Sequence, residues 1–228
     1  MTTRSRTSRA ASLLAGSLLL VATASVALAA PAPRTVLLVH GYQGSTTSFD
    51  QMQASLLAQG IPSIEVVLPG QDNVANATAI KNLITSRGLG SVDIVAHSMG
   101  GLSGRWFAKF LGGSTGSSPI VAHYISLGSP QYGLSAACLL PTTNGGQMCP
   151  WSSFLSKLNS GDDTPGTTSY TTIYSTADGL VPTSSSRLDG GACFVQDSGV
   201  THAGLLTNAT VLDQIVLALG GTCPGTFK

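Results

Sequence analysis

The chain has 228 residues, 43% of them hydrophobic and only 9% charged. That apolar share excludes an intrinsically disordered chain. Its formal charge of +1 falls to about −2 once three N-terminal arginines are set aside, which makes nucleic acid and anionic membrane surfaces poor candidate partners.

Those arginines, Arg4, Arg6 and Arg9, precede an apolar run from Ala10 to about Leu20 and then the small-x-small triplet Ala27-Leu28-Ala29. This is the pattern of a secretory signal cleaved after Ala29. Gly16, Ser17 and Thr23 interrupt the run and make it too short and weak for an anchor. Cleavage after Ala30 would leave Pro31 beside the scissile bond, which is unfavourable. No other segment reaches the ~20 apolar residues that span a bilayer, so no stable membrane insertion is expected. Residues 1–29 are therefore expected to be a signal peptide and residues 30–228 a single secreted, extracellular domain. A chain of that length buries roughly 70% of its extended-state surface. Cys138, Cys149, Cys193 and Cys223 all lie in the domain with no zinc-like spacing, and in an oxidising compartment they predict two disulfides. Of the three connectivities, Cys138–Cys149 with Cys193–Cys223 closes the shortest loops.

Along the domain, short β-branched runs alternate with helical patterns. A strand over Thr35–Val39 precedes a helix near Phe49–Gln59, Ile64–Leu68 precedes a helix near Ala75–Arg87, and Val92–Ala96 precedes Met99–Leu111. Further strands near Ile120–Leu127, Thr171–Ser175 and Ala192–Gln196 and a closing helix over Thr207–Leu219 complete an α/β pattern. Ser129 to Asn144 reads as loop, and the stretch from Pro150 to Gly161 as a short helix with the proline at its start. Parallel neighbours need crossover helices, so this order predicts about six mostly parallel strands with helices on both faces.

Three features carry chemistry. In "VDIVAHSMGG" an apolar strand hands over to a helix at Ser98, as in the G-x-S-x-G nucleophile elbow, although Ala96 stands where the first glycine belongs. One extra methyl at the strand–helix crossing is tolerable; a bulky side chain is not. A serine nucleophile in this architecture is followed by an acid and then a histidine. His202 is the histidine that follows a later strand end; His123 falls inside a predicted strand, and His97, next to Ser98 in a tight turn, should point away from it. Asp178, in the loop "TADG" after the Thr171–Ser175 strand, is the favoured acid, with Asp189 and Asp197 as rivals. The third feature is a pair of backbone donors: the N–H of Met99 at the start of a helix, and the N–H of Tyr42, which Gly41 in "VHGYQGS" would let the chain turn toward the site.

The stretches "VLLVHGYQGS", "AHSMGG", "IYSTADGLV", "SRLDG" and "GVTHAGLL" together resemble the small secreted class 2 bacterial lipases of the α/β-hydrolase superfamily, similar to the Bacillus lipase A group, including an Ala-x-Ser-x-Gly elbow. The resemblance implies a minimal α/β-hydrolase fold, a catalytic triad of Ser98, Asp178 and His202, an oxyanion hole of Tyr42 and Met99, no cofactor or metal, and a lipid or other ester as substrate, met at an oil–water interface. This chain departs from that group in its four cysteines and in a longer segment around Cys138–Cys149, which leaves open whether the segment shields the serine.

A triacylglycerol lipase or carboxylesterase is the expected function; a phospholipase or polyester depolymerase would use the same machinery, and an inactive binding protein on this scaffold would lack a triad member. Leu180 and Val181 beyond the acid, and Leu205 and Leu206 beyond the base, are candidates for an acyl groove or for core packing. Asp162 and Asp163 in "GDDTPG" offer too few oxygens for calcium's 6 to 8. Leu139-Leu140 reads as a lipid-contact patch or as the loop's own packing, and the sequons at Asn76 and Asn208 as surface positions.

Overall fold

The computed structural model describes residues 1–2, 33–116 and 118–227. The signal expected over residues 1–29 lies almost wholly outside them. Residues from Pro33 onward form one compact unit. Seven strands make a single sheet in the order β2-β1-β3-β4-β5-β6-β7: β1 Thr35–Val39, β2 Ser63–Glu65, β3 Val92–His97, β4 Val121–Leu127, β5 Ser169–Ser175, β6 Cys193–Asp197 and β7 Thr226–Phe227. All pairs are parallel except β6 with β7. Helices α1 Asp50–Ala58, α2 Asn73–Ser86, α3 Met99–Phe110, α4 Ser153–Leu158, α5 Thr183–Ser186 and α6 Ala209–Leu219 complete it.

The alternation of side chains along a strand sorts the core into two layers. Leu37, Val39, Ile94, Ala96 and Tyr124 pack with Ala77 and Ile80 of α2 and Leu102, Trp106 and Phe107 of α3. Val36, Leu38, Val95, Ile125 and Ile173 pack with Met52 and Leu56 of α1 and Val211 and Ile215 of α6. Each such aliphatic side chain contributes roughly 1.5–3 kcal/mol by burial. Every residue of β3 is buried, including Asp93, whose carboxylate is engaged by Arg34 and His123, so the strand shows no alternation of buried and exposed positions.

The fold is the expected minimal α/β-hydrolase arrangement, with differences at element ends. A seventh strand is present: two-residue β7 pairs antiparallel with β6, too short for a periodic signal. Strand β2 stops at Glu65, short of the expected Leu68, because it is an edge strand with only β1 beside it; Val66 still donates to the Leu38 carbonyl, but Val67 turns outward and is 76% exposed. Helix α2 starts early because Asp72 caps it, its carboxylate accepting from the N–H groups of Val74 and Ala75 at 2.9 Å. Helix α4 begins after Ser152, whose hydroxyl accepts from Leu155 N–H, and not at Pro150. The loop from Ser129 contains two 3-10 turns, Ser135–Leu139 and Gly146–Met148. Asn76 is fully buried, donating to the Gly70 carbonyl, and so is not a surface position; Asn208 caps α6. The cysteines pair as Cys138–Cys149 and Cys193–Cys223, with separations of 11 and 30 residues. In the chain-entropy view these closures destabilise the unfolded state by about 3 and about 4 kcal/mol. No helix among the described residues is long and apolar enough to cross a membrane.

Candidate active site

The carboxyl ends of parallel strands share one edge of the sheet, and the loops leaving them build the site. Strand β3 ends at His97, and Ser98 follows at φ 55°, ψ −130°, a conformation that costs a non-glycine residue on the order of 1–3 kcal/mol. The kink lets α3 begin at once and leaves the Ser98 side chain at the wall of a cavity of about 300 Å³. Glycines are required around it for closeness. A Cβ on Gly100 would stand 2.3 Å from the Val39 carbonyl oxygen, and one on Gly41 2.7 Å from Ser98 Cβ. Gly41 thus serves by letting β1 approach the serine; it does not adopt the left-handed conformation that a backbone turn would have used. Ala96, where the elbow pattern has glycine, is fully buried in the α2–α3 layer of the core.

Asp178 and His202 are brought together from loops 24 residues apart, His202 Nδ1 lying 2.8 Å from Asp178 Oδ2. The other carboxylate oxygen accepts from the backbone N–H groups of Leu180 (2.9 Å) and Val181 (2.6 Å), and His202 N–H donates to the Asp178 carbonyl at 3.0 Å. Burial by itself would raise the Asp178 carboxyl; the His202 and backbone hydrogen bonds outweigh it and hold the group below the usual carboxylate range. Ser175 at the end of β5 joins the two loops, its hydroxyl accepting from Ala177 N–H and Val200 N–H. Neither rival acid reaches the histidine: Asp189 is exposed, and Asp197 accepts from Gln214.

Ser98 and His202 line the same cavity, and no hydrogen bond joins them in this structure; such contacts are commonly long without substrate and tighten in its presence. Among the described residues the Tyr42 N–H has no acceptor, and the Met99 N–H, as first residue of α3, has none within its helix. Leu180, Val181 and Leu206 line the cavity, together with Pro130, Leu134 and Met148; Leu205 is core. Leu180 is 63% exposed and Leu139 92% exposed. Asp162 caps a turn at Thr164, and Asp163 is engaged by Arg105 and Tyr132. Among the described residues no group of three or more His, Cys, Asp or Glu is placed to hold a metal ion.

Two residues that sequence reasoning passed over stand beside the pair. His97 does not point away from the site: its Nε2 donates to the His202 carbonyl at 2.9 Å and the two rings lie 4.5 Å apart. Burial, and next to it the neighbouring His202, push His97 down to about 4, so it is neutral at pH 7. Gly128, at φ +53°, ends β4 against the pair; a Cβ there would meet Leu205 at 2.7 Å and Asp178 Oδ2 at 2.8 Å. A glycine directly after a predicted strand was a signal available for it; nothing in the sequence marked His97.

With this geometry in place, comparison with known proteins is decisive for the family. A model of lipase (class 2) matches residues 78–215, more than half of the chain. The chain belongs to the class 2 lipase family. The solved structures similar to this class 2 lipase family member include lipase B of Aspergillus fumigatus, at 20% identity and a TM-score of 0.68, covering 85% of this chain and 54% of that one. The chain thus spans about half the length of the fungal protein. The mature lipase BlEst2 of Bacillus licheniformis matches at 18% identity and a TM-score of 0.68, covering 82% of this chain and 93% of that one. Phospholipase PlaB of Legionella pneumophila matches at 13% identity and a TM-score of 0.69, with 82% and 60% covered. At such identities the likeness is one of fold.

Proposed function

We propose that the protein is a secreted serine ester hydrolase, a lipase or carboxylesterase that works through Ser98, His202 and Asp178. The observation that carries this reading is one cavity whose wall gathers a strained serine, a histidine hydrogen-bonded to a buried carboxylate, and Tyr42, whose backbone N–H has no acceptor among the described residues. In the reaction, His202 Nε2 takes the Ser98 proton as Oγ attacks the ester carbonyl. The N–H groups of Tyr42 and Met99 receive the oxyanion, and His202 then protonates the departing alcohol. Water enters by the same route and releases the acid. Asp178, fixed by its two backbone donors, keeps the His202 proton on Nδ1 and stabilises the imidazolium. The apolar lining from Leu134, Met148, Leu180, Val181 and Leu206 suits an acyl chain. At about 300 Å³ the cavity lies at the small end of ligand sites, which favours short and medium chains over long ones. The two disulfides support an extracellular setting.

The test compares initial rates of the protein and its Ser98→Ala variant on p-nitrophenyl butyrate, octanoate and palmitate and on emulsified triglyceride. A loss of at least about a thousandfold in the variant is expected on every ester that is cleaved. Hydrolysis of butyrate alone makes the protein an esterase; hydrolysis of the emulsion makes it a lipase. A variant as active as the parent overturns the mechanism.

A further inference from the structure

The segment closed by Cys138–Cys149 lies against the loop that carries Tyr42: one contact joins them directly, a second runs through Gln71, and a third ties the segment to α2 and α3. First, Gly145 sits at φ +97° beneath the Tyr42 ring: a Cβ there would be 2.7 Å from Tyr42 Cε2 and 2.9 Å from Leu140 Cδ1. The ring and the leucine therefore close over a bare Cα that no other residue type supplies. Second, Gln43, directly after Tyr42, is held at φ 54°. Its N–H donates to the side-chain oxygen of Gln71 at 3.0 Å, and Gln71 forms a backbone bridge with Asn144 inside the disulfide loop. Third, buried Gln147 accepts from both the backbone and side-chain nitrogens of Asn73 and donates to Asp72. Asn73 in turn accepts from Ser103 on α3, the helix that Ser98 opens.

We propose that the Cys138–Cys149 loop, through Gly145, Gln147 and the Gln71–Asn144 bridge, is a positioning element for the Tyr42 N–H. The proposal rests on Tyr42 being an oxyanion donor, as argued above. A left-handed Gln43 costs on the order of 1–3 kcal/mol and persists only where its surroundings over-determine it. The disulfide loop and Gln71 are those surroundings. When the loop is opened, Gln43 relaxes, Tyr42 shifts with it, and the Gly41–Tyr42 peptide turns the Tyr42 N–H away from the oxyanion position. The two disulfides then have different tasks. Cys193 is the first residue of β6, on the sheet edge opposite Ser98, so Cys193–Cys223 acts on stability alone.

The experiment measures kcat, KM and melting temperature for Cys138→Ser/Cys149→Ser, for Cys193→Ser/Cys223→Ser, and for Gln71→Ala. p-Nitrophenyl butyrate is the substrate, each protein is assayed well below its own melting temperature, and Ser98→Ala is the blank. Removing a whole oxyanion donor costs about 10²–10³ in kcat; a displaced donor is expected to lower kcat by about tenfold or more, with KM within about twofold. This should hold for the first double variant and for Gln71→Ala, while the Cys193/Cys223 variant keeps the parent kcat. Gln71→Ala leaves both disulfides intact and decides the matter if the first double variant does not fold. An unchanged kcat in Gln71→Ala and in the first double variant, an equal fall in both double variants, or a change confined to KM overturns the proposal. If Ser98→Ala itself is active, the fault lies in the proposed mechanism and not in the positioning.

Discussion

The Asp178→Asn substitution tests the proposed triad most sharply, because the structure dictates how the new amide must sit. One carboxylate oxygen accepts two backbone N–H groups, from Leu180 and Val181, and the other faces His202 Nδ1. An asparagine has a single oxygen. Pointing its NH2 at the two backbone donors would leave both unsatisfied in a buried site, at about 1–3 kcal/mol each and so about 2–6 kcal/mol together. The oxygen therefore stays with the backbone, and the NH2 turns to His202. That ring must then accept at Nδ1 and carry its proton on Nε2, the nitrogen that should receive the Ser98 proton. At 1.36 kcal/mol per factor of ten, the competent tautomer is depleted by roughly 30-fold to 10⁴-fold, and the imidazolium also loses its counter-charge. A fall in kcat of about 10³–10⁴ is expected, with KM within about threefold because Asp178 is not among the residues lining the cavity. Steady-state kinetics on p-nitrophenyl butyrate, with circular dichroism to check folding, measure it. Asp189→Asn and Asp197→Asn serve as controls that should stay within about threefold. A folded Asp178→Asn enzyme that loses less than about tenfold refutes the orientation argument and the acid role of Asp178.

Other expectations follow from single residues. Because His97 is pushed down from 6.5 to about 4, the unfolded chain binds a proton that the folded one refuses as pH falls from 6.5 towards 4. Stability is fully present above 6.5 and declines by about 3 kcal/mol across that window. Urea unfolding should show a smaller decline in His97→Asn, and an identical decline in both proteins would sink the assignment. Ser98→Gly should be inactive yet more stable than Ser98→Ala by about 1 kcal/mol or more, since glycine relieves the left-handed φ; a lower melting temperature for the glycine variant would contradict the strain. Ala96→Gly, which restores the commoner elbow pattern, should lose about 0.5–1 kcal/mol by added backbone freedom and keep kcat within about threefold. A large gain in kcat would mean that the alanine methyl distorts the elbow. Glu65 is raised to about 7 by burial and by Asp50; its charged form is the disfavoured one, so its contribution to stability is complete below its unfolded value and is lost as pH rises through 7. Glu65→Gln should raise the melting temperature at pH 8 and leave it unchanged at pH 4.

How far the sequence alone could be read depended on whether a feature is local. The period of apolar residues placed six of the seven strands and the four helices, α1, α2, α3 and α6, that pack on them, because burial on one face or both repeats at fixed spacing along a strand or helix. Ser98, Asp178 and His202 were selected from motif context and chain order, since each follows a strand end and parallel strands bring those ends to one edge. The cap residues Asp72 and Ser152 shifted helix starts by a few positions, and β7 was too short to leave a pattern.

The tertiary structure decided what depends on contact between distant segments. Nothing near His97 announces that its ring meets a carbonyl 105 residues later, and nothing in "TNGGQM" announces that Gly145 receives the Tyr42 ring. Gly41 and Gly128 were visible as glycines, but the reason for each is a Cβ that would overlap Ser98 or Asp178, a property of the packed neighbours and not of the local chain. Asn76 shows the converse: its sequon suits a surface, and only the packing of α2 buries it. The alternating and continuous apolar runs determine which sheet forms, because burial is a sum over many similar side chains. The cavity, its walls and the fixing of the Tyr42 loop rest on a few dissimilar contacts, each of which exists only once the sheet has closed.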